Sequence, residues 1–189
     1  TGGPPAIKAL ITNLDEEVRA PILVVQHIAA GFLPGFIDWL GKCTQRRIKV
    51  AEQGESLHES TIYVAPDGVH LGVSASGAAV ALSDGPAEHG TKPAISAMFR
   101  TLVKAYRDEC VAVLLTGMGT DGAAELKSLK DSGAITIAQD KDSSVVHGMP
   151  GEAIRLGGAT FTLAPAQAAE RLNQLAHEYW SGTTRPARK

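Results

Sequence analysis

Short β-rich apolar runs alternate with longer apolar stripes at helical spacing along almost the whole chain. The runs predict strands over 21–27, 47–52, 61–66, 69–74, 79–84, 111–116, 134–138 and 159–163. The stripes predict helices over 4–14, 33–43, 93–107, 122–132, 151–156 and 165–179. The clearest helix puts Ile95, Phe99, Leu102, Val103 and Tyr106 on one face. Pro93 and Pro165 stand where a first turn begins. Residues 21–25 and 111–115 contain no polar position, and strands of that kind are covered on both faces, as in a parallel sheet under helices. Residues 61–84 read differently, as three short strands separated by Asp67-Gly68 and Ser76-Gly77. The expectation is an α/β fold, a mainly parallel sheet flanked by helices, with a small antiparallel hairpin region at about 61–84.

At 189 residues the chain fits one domain. That domain is expected over 1–180, with the polar stretch 181–189 as a flexible tail. The net charge of −2, with both signs dispersed, makes no electrostatic case for nucleic acid or an anionic membrane. No apolar run approaches the roughly 20 residues that cross a bilayer, and no signal peptide is visible. Cys43 and Cys110 form no CxxC pair and read as two buried, reduced thiols, which fits a cytoplasmic protein.

The candidate chemistry lies where strands meet glycine-rich turns. Leu114-Leu115-Thr116-Gly117-Met118-Gly119-Thr120-Asp121-Gly122 takes an apolar strand into three glycines around one carboxylate. Val24-Val25-Gln26-His27 ends a second strand in an imidazole able to act as a base at neutral pH. Thr1-Gly2-Gly3-Pro4-Pro5 is a third glycine turn, entering a helix. Open α/β sheets keep their working residues at this edge. Each residue also has a plain structural reading: Asp121 as the N-cap of helix 122–132, His27 as a satisfied structural histidine. No serine occupies a GxSxG elbow. The remaining histidines, His58, His70, His89, His147 and His177, have no metal-ligand spacing. Gly117-x-Gly119-x-x-Gly122 matches the dinucleotide fingerprint only weakly, since no acid ends a strand about 20 residues on. Neither metal nor cofactor is expected.

Five segments in order, Thr1-Gly2-Gly3-Pro4, Val25-Gln26-His27, Tyr63-Val64-Ala65-Pro66, Leu114 to Gly122 and Gly148-Met149-Pro150-x-Glu152-Ala153, together closely resemble the catalytic domain of chemotaxis receptor methylesterases, the CheB family. The resemblance runs from Thr1 to about Leu175. It implies a doubly wound, mainly parallel sheet and a Ser-His-Asp triad that hydrolyses glutamate γ-methyl esters on methyl-accepting chemotaxis receptors. In many members it also implies deamidation of receptor glutamines. By motif match, His27 is the histidine and Asp121 the aspartate. The nucleophilic serine is expected immediately before Thr1, on a strand that also precedes the given chain. The N–H groups of Thr1 and Met118 are the candidate oxyanion donors. His70, Lys92, His147 and Met149 are candidates for the substrate cleft. The resemblance further implies an upstream receiver domain.

Two departures stand out. Many members read Arg-Pro-Ser-[Val/Ile]-Asp where this chain has Lys92-Pro93-Ala94-Ile95-Ser96, so Lys replaces a forked donor and Ser96 a carboxylate. His147 stands where Phe is frequent. If that first segment touches substrate, selectivity differs from that of a standard receptor esterase. Two other functions compete with the esterase: a catalytically inactive receptor-binding module of the same fold, and an N-terminal threonine hydrolase using the amine of Thr1 as base.

Overall fold

The computed structural model describes residues 2–180. Thr1 and the predicted tail at 181–189 lie outside the described residues. The elements run α1 (Gly3–Ile11), β1 (Ile22–Val24), α2 (Leu33–Gly41), β2 (Arg47–Val50), β3 (Thr61–Val64), β4 (His70–Val73), β5 (Val80–Ser83), α3 (Ile95–Ala105), β6 (Val111–Leu114), α4 (Ala123–Asp131), β7 (Ile135–Gln139), α5 (Met149–Arg155), β8 (Phe161–Leu163) and α6 (Pro165–Trp180). Prolines in the first turns of α1, α2 and α5, and at the first residue of α6, begin helices where a missing N–H costs nothing.

Strands β1, β3 and β2 form one parallel sheet in that order, and β6, β7 and β8 form a second. Strands β4 and β5 make an antiparallel pair, from His70 opposite Ser83 to Val73 opposite Val80. The antiparallel region is therefore narrower than 61–84. β3 leaves it and pairs parallel with β1 and β2. The continuously apolar strands β1 and β6 are outer strands among the described residues, each paired on one side. The central strands are β3 and β7, where Ile62, Tyr63, Val64, Ile137 and Ala138 are all fully buried.

Alternation along β3 and β7 divides the core into two layers. Ile62, Val64 and Ile137 face Ile7, Ile11, Phe36, Leu40 and Ala168 from α1, α2 and α6. Tyr63 and Ala138 face the other way, toward Phe99, Leu126 and Leu129 from α3 and α4, with Leu71 of the hairpin. Helices thus cover both faces of the parallel strands. The buried Tyr63 hydroxyl accepts from His58 N–H at 2.9 Å and donates to the Ser56 carbonyl at 3.1 Å, so it carries no unpaired polar atom. Cys43 and Cys110 are free but only half-buried, because each lies at an element's edge rather than inside one. Among the described residues no helix is long and apolar enough to cross a membrane.

Leu126 is fully enclosed where α4 meets the sheet. Leu126→Ala is expected to cost about 2–5 kcal/mol of stability through the cavity it leaves, read from denaturant midpoints at unchanged slope.

Candidate active site

Both parallel sheets present the ends of their strands to one site. β1 leads through Val25 and Gln26 to His27, and β6 leads through the glycine turn to Asp121. The two side chains, 94 positions apart, meet at 2.9 Å between His27 Nε2 and Asp121 Oδ2. A carboxylate only accepts, so Nε2–H donates, and in the neutral imidazole Nδ1 keeps its lone pair. Asp121 is 2% exposed, whereas the His27 side chain remains 26% exposed. The pair is therefore a buried anion holding a solvent-facing imidazole.

Asp121 is held by more than His27. Ile95 N–H donates to Oδ2 at 2.7 Å and Ser96 N–H donates to Oδ1 at 2.9 Å. These are the first two amides of α3, which have no partner within their own helix. Burial pushes the carboxyl upward. The bonds from His27 and from the Ser96 and Ile95 amides reverse that and hold its pKa down to about 2. Asp121 is a helix cap after all, but of α3 rather than of α4, to which it is adjacent in sequence. The N-cap of α4 is Gly122, with no side-chain bond. At Gly122, φ is +80°, and an added Cβ would lie 2.5 Å from Ile95 Cγ2. Only glycine lets α4 begin in such close contact with α3, and that contact sets Asp121 under the amino end of α3.

The opening turn lies beside the pair. A Cβ on Gly3 would strike Gln26 Oε1 at 2.4 Å, and one on Gly2 would lie 2.7 Å from Val145 Cβ and 3.1 Å from Thr116 Cγ2. The turn thus packs against the residue before His27 and against the loops following β6 and β7. The backbone of Thr1 lies outside the described residues. The Gly117 carbonyl accepts from Gly148 and Met149 N–H at 3.1 and 3.0 Å. Because the peptide is planar and trans, Met118 N–H points to the opposite side, away from α5. No described residue accepts from it, and the Met118 side chain is 82% exposed.

The cleft candidates fare differently. His70 is buried, with Nδ1 accepting from Ala94 N–H at 3.1 Å and Nε2–H donating to the Pro86 carbonyl at 2.9 Å. Both ring nitrogens are spent on backbone. Met149 is buried against Gly117, where an added Cβ would lie 2.1 Å from its Cε. It supports the glycine turn from behind. His147 is half-buried and ties its loop to the end of β7 through Nε2–H and the Gln139 carbonyl at 3.2 Å. Lys92 forms an ion pair with Asp84 in the loop after β5. Ser96 is 0% exposed, so its departure from the familiar motif acts behind Asp121 and not on a substrate surface. Residue patterning did not single out Gln139 as a support. Its Oε1 accepts from Thr116 N–H at 2.7 Å and its Nε2 donates to the Ser143 carbonyl at 2.9 Å, fixing the start of the glycine turn. A buried Gln ending an apolar strand was the available signal.

The family model described as CheB methylesterase matches residues 1–172. The chain is 48% identical over 176 residues to a Syntrophus aciditrophicus protein named protein-glutamate methylesterase/protein-glutamine glutaminase 1, covering 93% of this chain and 50% of that protein. A similarly named protein of Geobacter metallireducens is 46% identical over 178 residues, covering 94% of this chain and 51% of its own length. The chain spans about half the length of these curated relatives. The crystal structure of the Thermotoga maritima CheB methylesterase catalytic domain superposes with a TM-score of 0.88 at 34% identity, covering 92% of this chain and 93% of that one.

The folded pKa of Asp121 lies below its ordinary value of 3.8, so ionisation favours folding. This stabilisation, about 2 kcal/mol, is complete above pH ~4–5 and fades as pH falls through 3.8 toward 2. The stability gap between the unmodified protein and Asp121→Asn is therefore expected to narrow between pH ~5 and ~2 in denaturant titrations. A gap constant with pH contradicts this.

Proposed function

Because the chain belongs to the CheB methylesterase family, we propose that it is the catalytic domain of an enzyme hydrolysing glutamate γ-methyl esters on methyl-accepting chemotaxis receptors. It also deamidates receptor glutamines. The observation that carries this reading is the 2.9 Å bond between His27 and the buried Asp121, beside the opening turn. In this reading a serine directly ahead of Thr1 is the nucleophile, on a strand running between β1 and β6, whose outer edges have no described partner. A receiver domain occupies part of the remaining length, as the half-length match to the relatives allows. The enzyme acts in the cytoplasm and needs no metal or cofactor.

The chemistry divides as follows. Nδ1 of His27 takes the hydroxyl proton as the serine oxygen attacks the ester carbonyl. Asp121, ionised and bonded to Nε2–H, stabilises the imidazolium that forms. The carbonyl oxygen becomes an oxyanion and receives the Thr1 and Met118 N–H groups, each such donor being worth about 10²–10³ in rate. His27 returns its proton to the leaving methoxy oxygen, which departs as methanol, or to the leaving amide nitrogen of a glutamine, which departs as ammonia. Water then attacks the acyl-enzyme, giving up its proton to His27, which passes it to the serine as the glutamate carboxylate leaves.

The test uses the natural full-length protein and a receptor fragment methylated on its glutamates. The unmodified enzyme is expected to release methanol, and His27→Ala to lower turnover by about 10³–10⁴ or more, since triad members act as a unit. Loss of less than about tenfold removes His27 from the mechanism. Receptor binding without any methanol points instead to an inactive docking module.

A further inference from the structure

Behind Asp121 lies a chain of polar groups, buried at Ser96 and reaching the surface at Arg100, that the triad chemistry does not use. Ser96 is the second residue of α3 and is wholly enclosed. A serine in a first turn ordinarily bonds its own backbone. Here its Oγ reaches out of the helix and accepts from Gly122 N–H at 2.9 Å, while its Oγ–H donates to Glu125 Oε2 at 2.7 Å. Its backbone N–H meanwhile donates to Asp121 Oδ1 at 2.9 Å. Ser96 therefore grips one acid from two directions, by its carboxylate and by the peptide that follows it.

The hydroxyl has a single proton. Commitment of that proton to Glu125 fixes the rotamer that leaves a lone pair facing Gly122. Glu125 is fixed in turn, since Arg100 donates to its other oxygen at 3.2 Å and also pairs with Glu88. The line Glu88–Arg100–Glu125–Ser96 ends on the turn that carries Asp121.

We propose that Ser96 is the positioning residue of the Asp121–His27 pair, with Glu125 orienting its hydroxyl and Arg100 anchoring Glu125. Ser96 touches neither substrate nor His27. It acts through Asp121, and the proposal rests on the esterase reading only for its effect on turnover. The required precision is fine, because a misplacement of about 1 Å from remote changes can cost around 10² in rate.

The test compares Ser96→Ala, Glu125→Ala and the double variant in the full-length protein, by methanol release from the methylated receptor fragment. A second readout, independent of activity, is the low-field NMR signal of the imidazole proton between His27 and Asp121, with Asp121→Asn as the reference for its loss. Ser96→Ala is expected to lower kcat by about 10²-fold with little change in KM, and to shift or broaden the imidazole proton signal. Glu125→Ala is expected to lower kcat less, and the double variant to be no slower than Ser96→Ala, because both remove one anchor. Glu125 lies on the outer part of α4, so its variant tests the line even if Ser96→Ala fails to fold. Additive losses, a change in KM alone, or an imidazole signal unmoved in either single variant overturns the proposal. If the unmodified protein releases no methanol, the esterase reading fails, and the imidazole signal alone decides the role of Ser96.

Discussion

One buried carboxylate joins the two halves of this domain. An ion removed from water costs several kcal/mol unless donors replace its hydration. Asp121 has three: the Ile95 amide, the Ser96 amide and the His27 ring. Two belong to the amino end of α3, where unpaired amides and the helix dipole favour negative charge. The third is the imidazole. Because the helix keeps the acid ionised, the acid can orient the imidazole. A structural cap and an orienting acid are the same two oxygens.

The rest of the site follows from where elements begin and end. His27 is delivered by the loop after β1 and Asp121 by the turn after β6, so both stand at the strand ends where doubly wound sheets carry their chemistry. Gly122 allows α3 and α4 to touch closely enough for the turn ahead of α4 to cap α3. Gln139, at the end of β7, and Met149, at the start of α5, hold the same glycine turn from two further sides. The geometry of the pair is thus fixed by packing on several sides, while the imidazole keeps a side open to solvent. That asymmetry is what a base needs: a fixed anion behind it and access in front.

Local signals made much of this legible in the sequence. The strands and helices were marked by runs and stripes, and His27 and Asp121 by their places at strand ends. Sheet order was not legible, because apolarity reports burial and not which neighbour supplies it. β1 and β6 read as strands of a parallel sheet, with nothing to say that each pairs on one side in the described structure, and β3 was grouped with the hairpin that follows it. His70 read as a cleft candidate, and nothing nearby in sequence announces the Ala94 and Pro86 backbone groups that hold its two ring nitrogens. Asp121 was read as a cap of the helix it precedes. Its true partners lie 25 and 26 positions away, a distance at which periodicity and turn rules are silent.

The most direct measurement follows the Asp121 carboxyl carbon by NMR as acid is added, together with the amide protons of Ile95 and Ser96. The account expects Asp121 to stay ionised until about pH 2, and both amides to move with that same midpoint as their shared acceptor is lost. A carboxyl that titrates at its ordinary value of 3.8, with the two amides indifferent to it, contradicts the account.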